Sequence, residues 1–335
     1  MKKSTTSKAE FPTPDDLTLP EIMARFATER QAREYLESIR WPVGPVCAHC
    51  GNRGELGRIW KIGANPEKKI REGLYQCAAC EKHFTVTIGT IFEDSHIPLN
   101  KWLVAWYLFA TAKKGVSALQ MQRTLGLGSY RTAWFMMHRI RHAVATPDFQ
   151  RPLSGTVEVD ETFVGGKSRG RGQRFANKTA VVSLVERGPE GRKRSVVVAN
   201  VTAKNLRQAI RENVEPGSTV HTDDFAGYKR VPADGYKHGA VNHTAGQYVR
   251  DFRDGTKITT NTVESSFAII KRAIYGSFHH VSKKHLPRYL AEFDHKWDTR
   301  HEKDGARCVQ GLRMAEGKRL TMHPLIGDKE APEPS

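Results

Sequence analysis

The chain has 335 residues and carries 53 Lys and Arg against 36 Asp and Glu, a formal net charge of +17 with a pI near 9.7. That length excludes a peptide and allows two or three modules, each able to bury some core. The basic residues are spread along most of the chain, so the charge points to a long nucleic acid rather than a small anionic ligand.

Residues 1–16 are polar, include Pro12 and Pro14, and read as a disordered leader. No run of about eighteen apolar residues occurs, and the N-terminus lacks the apolar core of a signal peptide, so the expectation is a cytoplasmic protein without membrane association. A helical pattern over residues 19–39, with Ile22, Met23, Phe26, Tyr35, Leu36 and Ile39 as its apolar positions, stops at Trp41-Pro42. Four of the five cysteines follow as two Cys-x-x-Cys pairs, Cys47/Cys50 and Cys77/Cys80, around a basic insert. In a reducing compartment such pairs favour metal over disulfides, and two knuckles complete a tetrahedral thiolate cage for structural Zn²⁺. With four sulfurs available, His49 and His83 are expected to be surface residues and Cys308 to be inert. Neither pair opens a helix of an α/β unit, which argues against a thioredoxin-like redox role. Residues 17–92 are therefore expected to form an N-terminal helix and a zinc ribbon.

An aromatic-rich helical stretch over 99–112 reads as core. Two further helical patterns meet at Gly126-Leu-Gly128, with Ser117 and Ser129 as N-caps. Residues 97–146 thus resemble a helix-turn-helix region whose second helix would offer Arg131, Arg139 and Arg141 to DNA. A plain helical hairpin is the alternative.

Past a linker near residues 145–155 the pattern changes to short β-rich runs at 156–163, 179–185 and 195–201. A helix over 203–212, a fourth strand at 219–222 and a weaker fifth near 237–242 follow. Three hairpin-linked strands, a helix and a returning strand describe an α/β domain of ribonuclease H-like fold over residues 154–302. In that topology the first and fourth strands lie side by side, which makes Asp160 and Asp223 neighbours. The stretch TNTVESSFAIIK, residues 260–271, forms a helix whose one face carries Glu264 and, two turns on, Lys271. Asp160, Asp223 and Glu264 would hold two Mg²⁺ (or Mn²⁺) ions about 4 Å apart for phosphoryl transfer, with Lys271 on a phosphate.

Each acid has rivals. Glu158 shares a strand face with Asp160, Glu161 is expected to point to the other side, and Asp224 adjoins Asp223. Asn261 would orient a carboxylate or cap the helix. The glycine- and arginine-rich turn holding Lys167, Arg169 and Arg171 lacks Walker spacing and reads as a basic finger on DNA phosphates. Arg272 continues the basic surface, a last helix over 283–300 closes the domain, and residues 303–335 read as a polar tail.

The blocks VEVDETFVGGK, HTDDFAGY and TNTVESSFAIIKRAIYGSFHHVS, in this order behind a two-knuckle zinc ribbon, resemble the DDE transposases of bacterial insertion sequences, in the zinc-ribbon group with an ISXO-like catalytic domain. The resemblance covers roughly residues 20–300. It implies Mg²⁺-dependent cleavage at terminal inverted repeats and transfer of the 3′-hydroxyls into target DNA by a homo-oligomer assembled on double-stranded DNA. It also implies that Asp160, Asp223 and Glu264 are the catalytic acids and that Lys271 is the lysine following the third. Two other functions fit the same modules: a structure-specific nuclease without strand transfer, and a non-catalytic DNA-binding regulator derived from a transposase.

Overall fold

The computed structural model describes residues 17–145, 151–166, 177–247, 249–251 and 255–326. They group into two compact units, one of residues up to Thr111 together with Glu302–Arg319, the other of Ala112–His301 together with the stretch from Leu320. The leader 1–16 and the basic turn residues Lys167, Arg169 and Arg171 lie outside the described residues. No helix among those described is long and apolar enough to cross a membrane.

In the first unit the single N-terminal helix expected over 19–39 is two, α1 (Leu19–Arg25) and α2 (Glu29–Arg40). The break is chemical. Thr28 accepts the Gln31 backbone N–H while the Gln31 side chain accepts from Thr28, a capping box that starts a new helix. A three-stranded antiparallel sheet follows, β1 (Ile59–Ile62), β2 (Leu74–Cys77) and β3 (His83–Phe84), in the order β1-β2-β3. Helix α3 (Leu99–Thr111) buries Leu99, Trp102, Leu103, Ala105, Trp106, Phe109 and Ala110, so it is apolar on most sides and packs within this unit, against α1 and α2.

The second unit begins with α4 (Ala118–Leu125) and α5 (Tyr130–Val144), capped by Ser117 and Ser129 as expected, their hydroxyls accepting from the Gln120 and Thr132 backbone N–H groups. Its centre is a five-stranded mixed sheet built from β4 (Thr156–Gly165), β5 (Lys178–Glu186), β6 (Lys193–Val198), β7 (Thr219–Asp223) and β8 (Lys237–Val241), with α6 (Ala203–Asn213) between β6 and β7. The strand order is β6-β5-β4-β7-β8. The β4–β5 and β5–β6 pairs are antiparallel, whereas β4–β7 and β7–β8 are parallel. Between β8 and the next helix, β9 (Arg250–Asp251) and β10 (Lys257–Ile258) pair antiparallel. They lead into α7 (Asn261–Ala273), and α8 (Leu286–Asp298) closes the unit.

Alternation along β4 sets the two faces of the sheet. Val157 and Val159 join Leu206, Ile210 and Tyr228 in a core on the α6 side. Val164 packs with Ile270, Leu286, Leu290 and Phe293 on the side of α7 and α8. Even-numbered β4 residues therefore face α7, which puts Glu158 and Asp160 under that helix.

The expected polar tail from residue 303 instead carries α9 (Asp304–Arg313), which buries Cys308, Val309 and Leu312 in the first unit. Gly311 lies where a Cβ would press on the Trp106 ring, so α9 fits closely against α3.

Candidate active site and metal centres

The four knuckle sulfurs converge within 4.8 Å of one another. Cys47 and Cys80 Sγ are 3.6 Å apart, and Cys50 and Cys77 Sγ 3.8 Å. A disulfide requires about 2.05 Å, whereas a tetrahedral zinc with bonds of about 2.3 Å spaces its sulfurs about 3.8 Å apart. The donor set therefore fits zinc. Asn52 Nδ2 donates to Cys77 Sγ at 3.4 Å, and this hydrogen bond holds the thiol down at about 6, poised for thiolate ligation. His49 turns away to contact the His83 carbonyl at 3.0 Å, and Cys308 is buried, its thiol pushed up to about 12 by burial. We expect about one zinc per chain by metal analysis, lost on joint Cys47→Ser and Cys77→Ser replacement and retained in Cys308→Ser.

In the second unit, β4 and β7 pair at Thr156↔Thr219, Val157↔Val220 and Glu158↔His221, and then part. Asp160 and Asp223 each stand two residues beyond the last pair, so they face each other across the opening between the strands. With Glu161 they form a group whose ligand oxygens all lie within 4.8 Å. Glu161 leaves β4 on the α6 side, as its odd position requires, and accepts the Tyr228 hydroxyl at 2.6 Å. Because the strands have parted here, its carboxylate reaches the same group as the aspartates.

Burial, reinforced by the Glu161 charge and then by Asp223 and Glu264, pushes the Asp160 carboxyl up to about 7. Asp223 is raised mainly by burial, with Asp224 and Glu264 adding to it against the Phe225 backbone N–H and His243. Glu161 is also raised by burial. These carboxylates are costly to ionise together, which is the electrostatic signature of a cation site.

The sign of the pH dependence follows. Between the ordinary aspartate value of 3.8 and about 7 the folded protein holds a proton on Asp160 that the unfolded chain has released, so stability falls as pH rises through that window. Divalent cations reverse the penalty. Excess Mg²⁺ or Mn²⁺ is thus expected to raise the melting temperature more at about pH 8 than at about pH 5. Metal-free Asp160→Asn should melt above the wild type at the higher pH and lose the metal response. An equal metal effect at both pH values would exclude this origin.

Glu264 sits in the first turn of α7, outside the 4.8 Å group but close enough to raise both aspartates. Its Oε1 accepts the Thr260 hydroxyl at 3.0 Å and lies 3.2 Å from His243 Nε2, which itself lies 2.9 Å from Thr260 Oγ1. Glu158 is fully buried and has a different task. It accepts the backbone N–H groups of Thr262 and Val263 at 2.7 and 3.0 Å and the Thr262 hydroxyl at 3.0 Å, with Arg187 Nε 3.5 Å away. A strand carboxylate thereby caps α7 from outside the helix and fixes the turn that carries Glu264. Asn261 is the first residue of α7 and donates its backbone N–H to Thr259 Oγ1. Asp224 is exposed and accepts from Asn242 Nδ2. Tyr228 and His243 were not among the site residues expected from the sequence. The Gly227-Tyr228 step after HTDDF was the available signal for the first, and nothing local marks the second.

Lys271 and Arg272 are exposed on α7, and Arg131 is exposed at the start of α5. Arg139 and Arg141, expected on a DNA-facing surface, are instead 4% and 2% exposed. Helix α5 packs against α8, and Arg141 Nε donates to buried Glu292 at 2.8 Å, so neither guanidinium is presented to solvent.

This is an α/β protein with a carboxylate site at the parted ends of two parallel strands and a separate thiolate metal centre. Residues 152–298 match the family described as ISXO2-like transposase domain, and residues 27–83 match the transposase zinc-ribbon domain. Both matches are to domains of insertion-sequence transposases, one catalytic and one zinc-binding. It is similar to "Uncharacterized protein in transposable element ISH50" of Halobacterium salinarum, 28% identical over 292 residues, covering 80% of this chain and 90% of the relative. It is also similar to an "Uncharacterized transposase-like protein" of Haemophilus influenzae, 28% identical over 118 residues, 35% of this chain and 90% of that one.

Proposed function

We propose that this transposase binds the terminal inverted repeats of its insertion sequence, cuts DNA there by Mg²⁺-dependent hydrolysis, and joins the 3′-hydroxyls to target DNA. The observation that carries the reading is the facing of Asp160 and Asp223 across the β4–β7 opening, beneath the helix bearing Glu264. The strand order β6-β5-β4-β7-β8, with its antiparallel hairpins and parallel return, supports a ribonuclease H-like fold. The capped α4–α5 pair supports a helix-turn-helix with Arg131 toward DNA.

Asp160, Asp223 and Glu264 would hold divalent metal, which when bound supplies charge neutralisation at the scissile phosphate and an activated attacking oxygen. The protein's own residues position and tune. Glu158 holds the α7 N-terminus, and His243 with Thr260 orients Glu264. Tyr228 orients Glu161, and Lys271 with Arg272 presents cations to the DNA backbone. No covalent nucleophile on the protein is required, because an in-line attack needs chiefly alignment and charge stabilisation. The zinc ribbon and helix pair recognise the ends, and two ends handled together call for a homo-oligomer on DNA in the cytoplasm. A specific observation supports a second assignment of the third ligand, to Glu161, since it already stands with the two aspartates.

The test is incubation with duplex carrying the DNA that flanks the gene, plus Mg²⁺ and a second duplex. Joined product supports transposition, cut but unjoined ends leave the nuclease reading, and binding without cutting leaves the regulator. Binding should weaken steeply with salt as counterion release loses its advantage.

A further inference from the structure

A cavity of about 170 Å³ lies beyond the carboxylates, between the far end of β4 and the end of α7. Its walls are apolar at Phe163, Val164, Ile274 and Val281, and Lys271, Tyr275, His279 and His280 stand around it. Three features set this place apart. The Tyr275 side chain is 76% exposed, the largest exposure of any aromatic ring among the exposed large hydrophobic residues. The chain after α7 continues as a π-helical turn over Ile274–Phe278, a rare form found frequently at functional sites. His279, which is not glycine, then adopts a left-handed φ of 58°.

We propose that this cavity receives one unstacked base of the DNA substrate, its ring against Tyr275 and its phosphate on Lys271. A cavity of roughly 150 Å³ holds one benzene-sized ring, so a pyrimidine fits within it and a purine projects from it. Apolar walls suit the faces of a base, and an exposed aromatic ring offers the stacking partner that the base loses on leaving the duplex. Lys271 lines the cavity directly, and Arg272, Lys283 and Lys284 lie close to its lining residues in sequence, so the surroundings carry the charge a nucleotide phosphate requires. A nucleotide matches both halves of this chemistry, whereas a free phosphate uses only the cations.

The inference rests on the reading that the acids cut DNA, and it places the unstacked base near the cut. Lys271 is seven residues beyond Glu264 on α7, about 10 Å at 1.5 Å per residue. Val164 is four residues beyond Asp160 on β4, about 13 Å. At about 3.4 Å per stacked step, the pocket lies three or four nucleotides from the scissile phosphate.

The test compares the full-length protein's affinity for a paired duplex and for the same duplex with one unpaired thymine flanked by 2-aminopurine. An extrahelical base saves the cost of unstacking, so the wild type should prefer the bulged duplex about tenfold, and the 2-aminopurine should brighten on binding. Tyr275→Ala removes the stacking ring. Gly166→Leu fills the mouth of the cavity, where an added Cβ meets nothing within 4 Å. Both changes are at exposed positions, and both should abolish the preference and the brightening while leaving affinity for paired duplex within about threefold. Loss in either variant supports the assignment. Equal affinities in the wild type, or a preference that survives both variants, overturns the pocket and leaves the cutting reading intact. Failure to bind either duplex would overturn the DNA reading and the pocket with it.

Discussion

Asp160→Asn and Asp223→Asn should each reduce Mg²⁺-dependent cleavage of end-bearing duplex by roughly a thousandfold or more while gel-shift binding persists. The magnitude follows from the chemistry: a bound divalent ion contributes several kcal/mol of charge stabilisation in phosphoryl transfer, and each 1.36 kcal/mol is about tenfold in rate. The two aspartates face each other beyond the last β4–β7 pair, so loss of either carboxylate disables one shared site. The double variant should therefore be scarcely worse than either single one. Glu264→Gln should behave alike, since it keeps size and helix propensity and removes the charge felt by both aspartates. Asp224→Asn is the control, because that side chain is exposed and bonded to Asn242. Glu161→Gln separates the two assignments of the third ligand. If it abolishes cutting while Glu264→Gln cuts normally, the third carboxylate is Glu161. Full activity in Asp223→Asn with loss in Asp224→Asn would move the site altogether.

The strands carrying these acids were legible because each is a short run of β-branched residues ending in polar chemistry, and VEVD and VHTD set Asp160 and Asp223 at matching depth. Helix α7 was legible from its period. What the sequence did not disclose depends on partners distant in the chain. Glu158 looked like a spare ligand, yet its partners are backbone groups 104 and 105 residues away. Glu161 was assigned by strand alternation, which governs where a side chain leaves the backbone but not where a flexible carboxylate ends once neighbouring strands part. In α5 the helix-turn-helix pattern suggested a basic face carrying Arg131, Arg139 and Arg141. The helix is buried on most sides, and Arg139 and Arg141 are inside with it. Helix α9 was hidden by composition, since only Cys308, Val309 and Leu312 among its polar neighbours mark the buried face.

The buried charge beneath α5 yields the second large effect: Glu292→Gln should lower the unfolding free energy by about 3–5 kcal/mol, the usual cost of removing one partner from a buried ion pair. Glu292 is 0% exposed and lies between two cations, Arg141 Nε at 2.8 Å from Oε2 and Lys296 Nζ at 2.6 Å from Oε1. The Arg141 guanidinium also lies 3.9 Å from the centre of the Tyr289 ring, and Lys296 donates to the Ala112 carbonyl, so α5, α8 and the chain entering α4 meet at one carboxylate. Gly115 belongs to the same junction. It has φ +75°, and a Cβ there would meet Phe278 and Glu292 Oε1, so only glycine lets the chain pass this close. Burial works against ionisation of Glu292, but Lys296 and Arg141 outweigh it and hold the carboxyl below its ordinary value of 4.5. A depressed folded value means the stabilisation is present above about pH 4.5 and is lost as pH falls through the folded value, so the difference between wild type and variant should shrink in acid. Replacing the whole set, Arg141→Met with Glu292→Leu and Lys296→Met, leaves no charge stranded and should recover most of the lost stability in urea unfolding. If Glu292→Gln unfolds with the wild type's midpoint, the junction does not hold the helix pair to the sheet, and α5 owes its position to its apolar contacts alone.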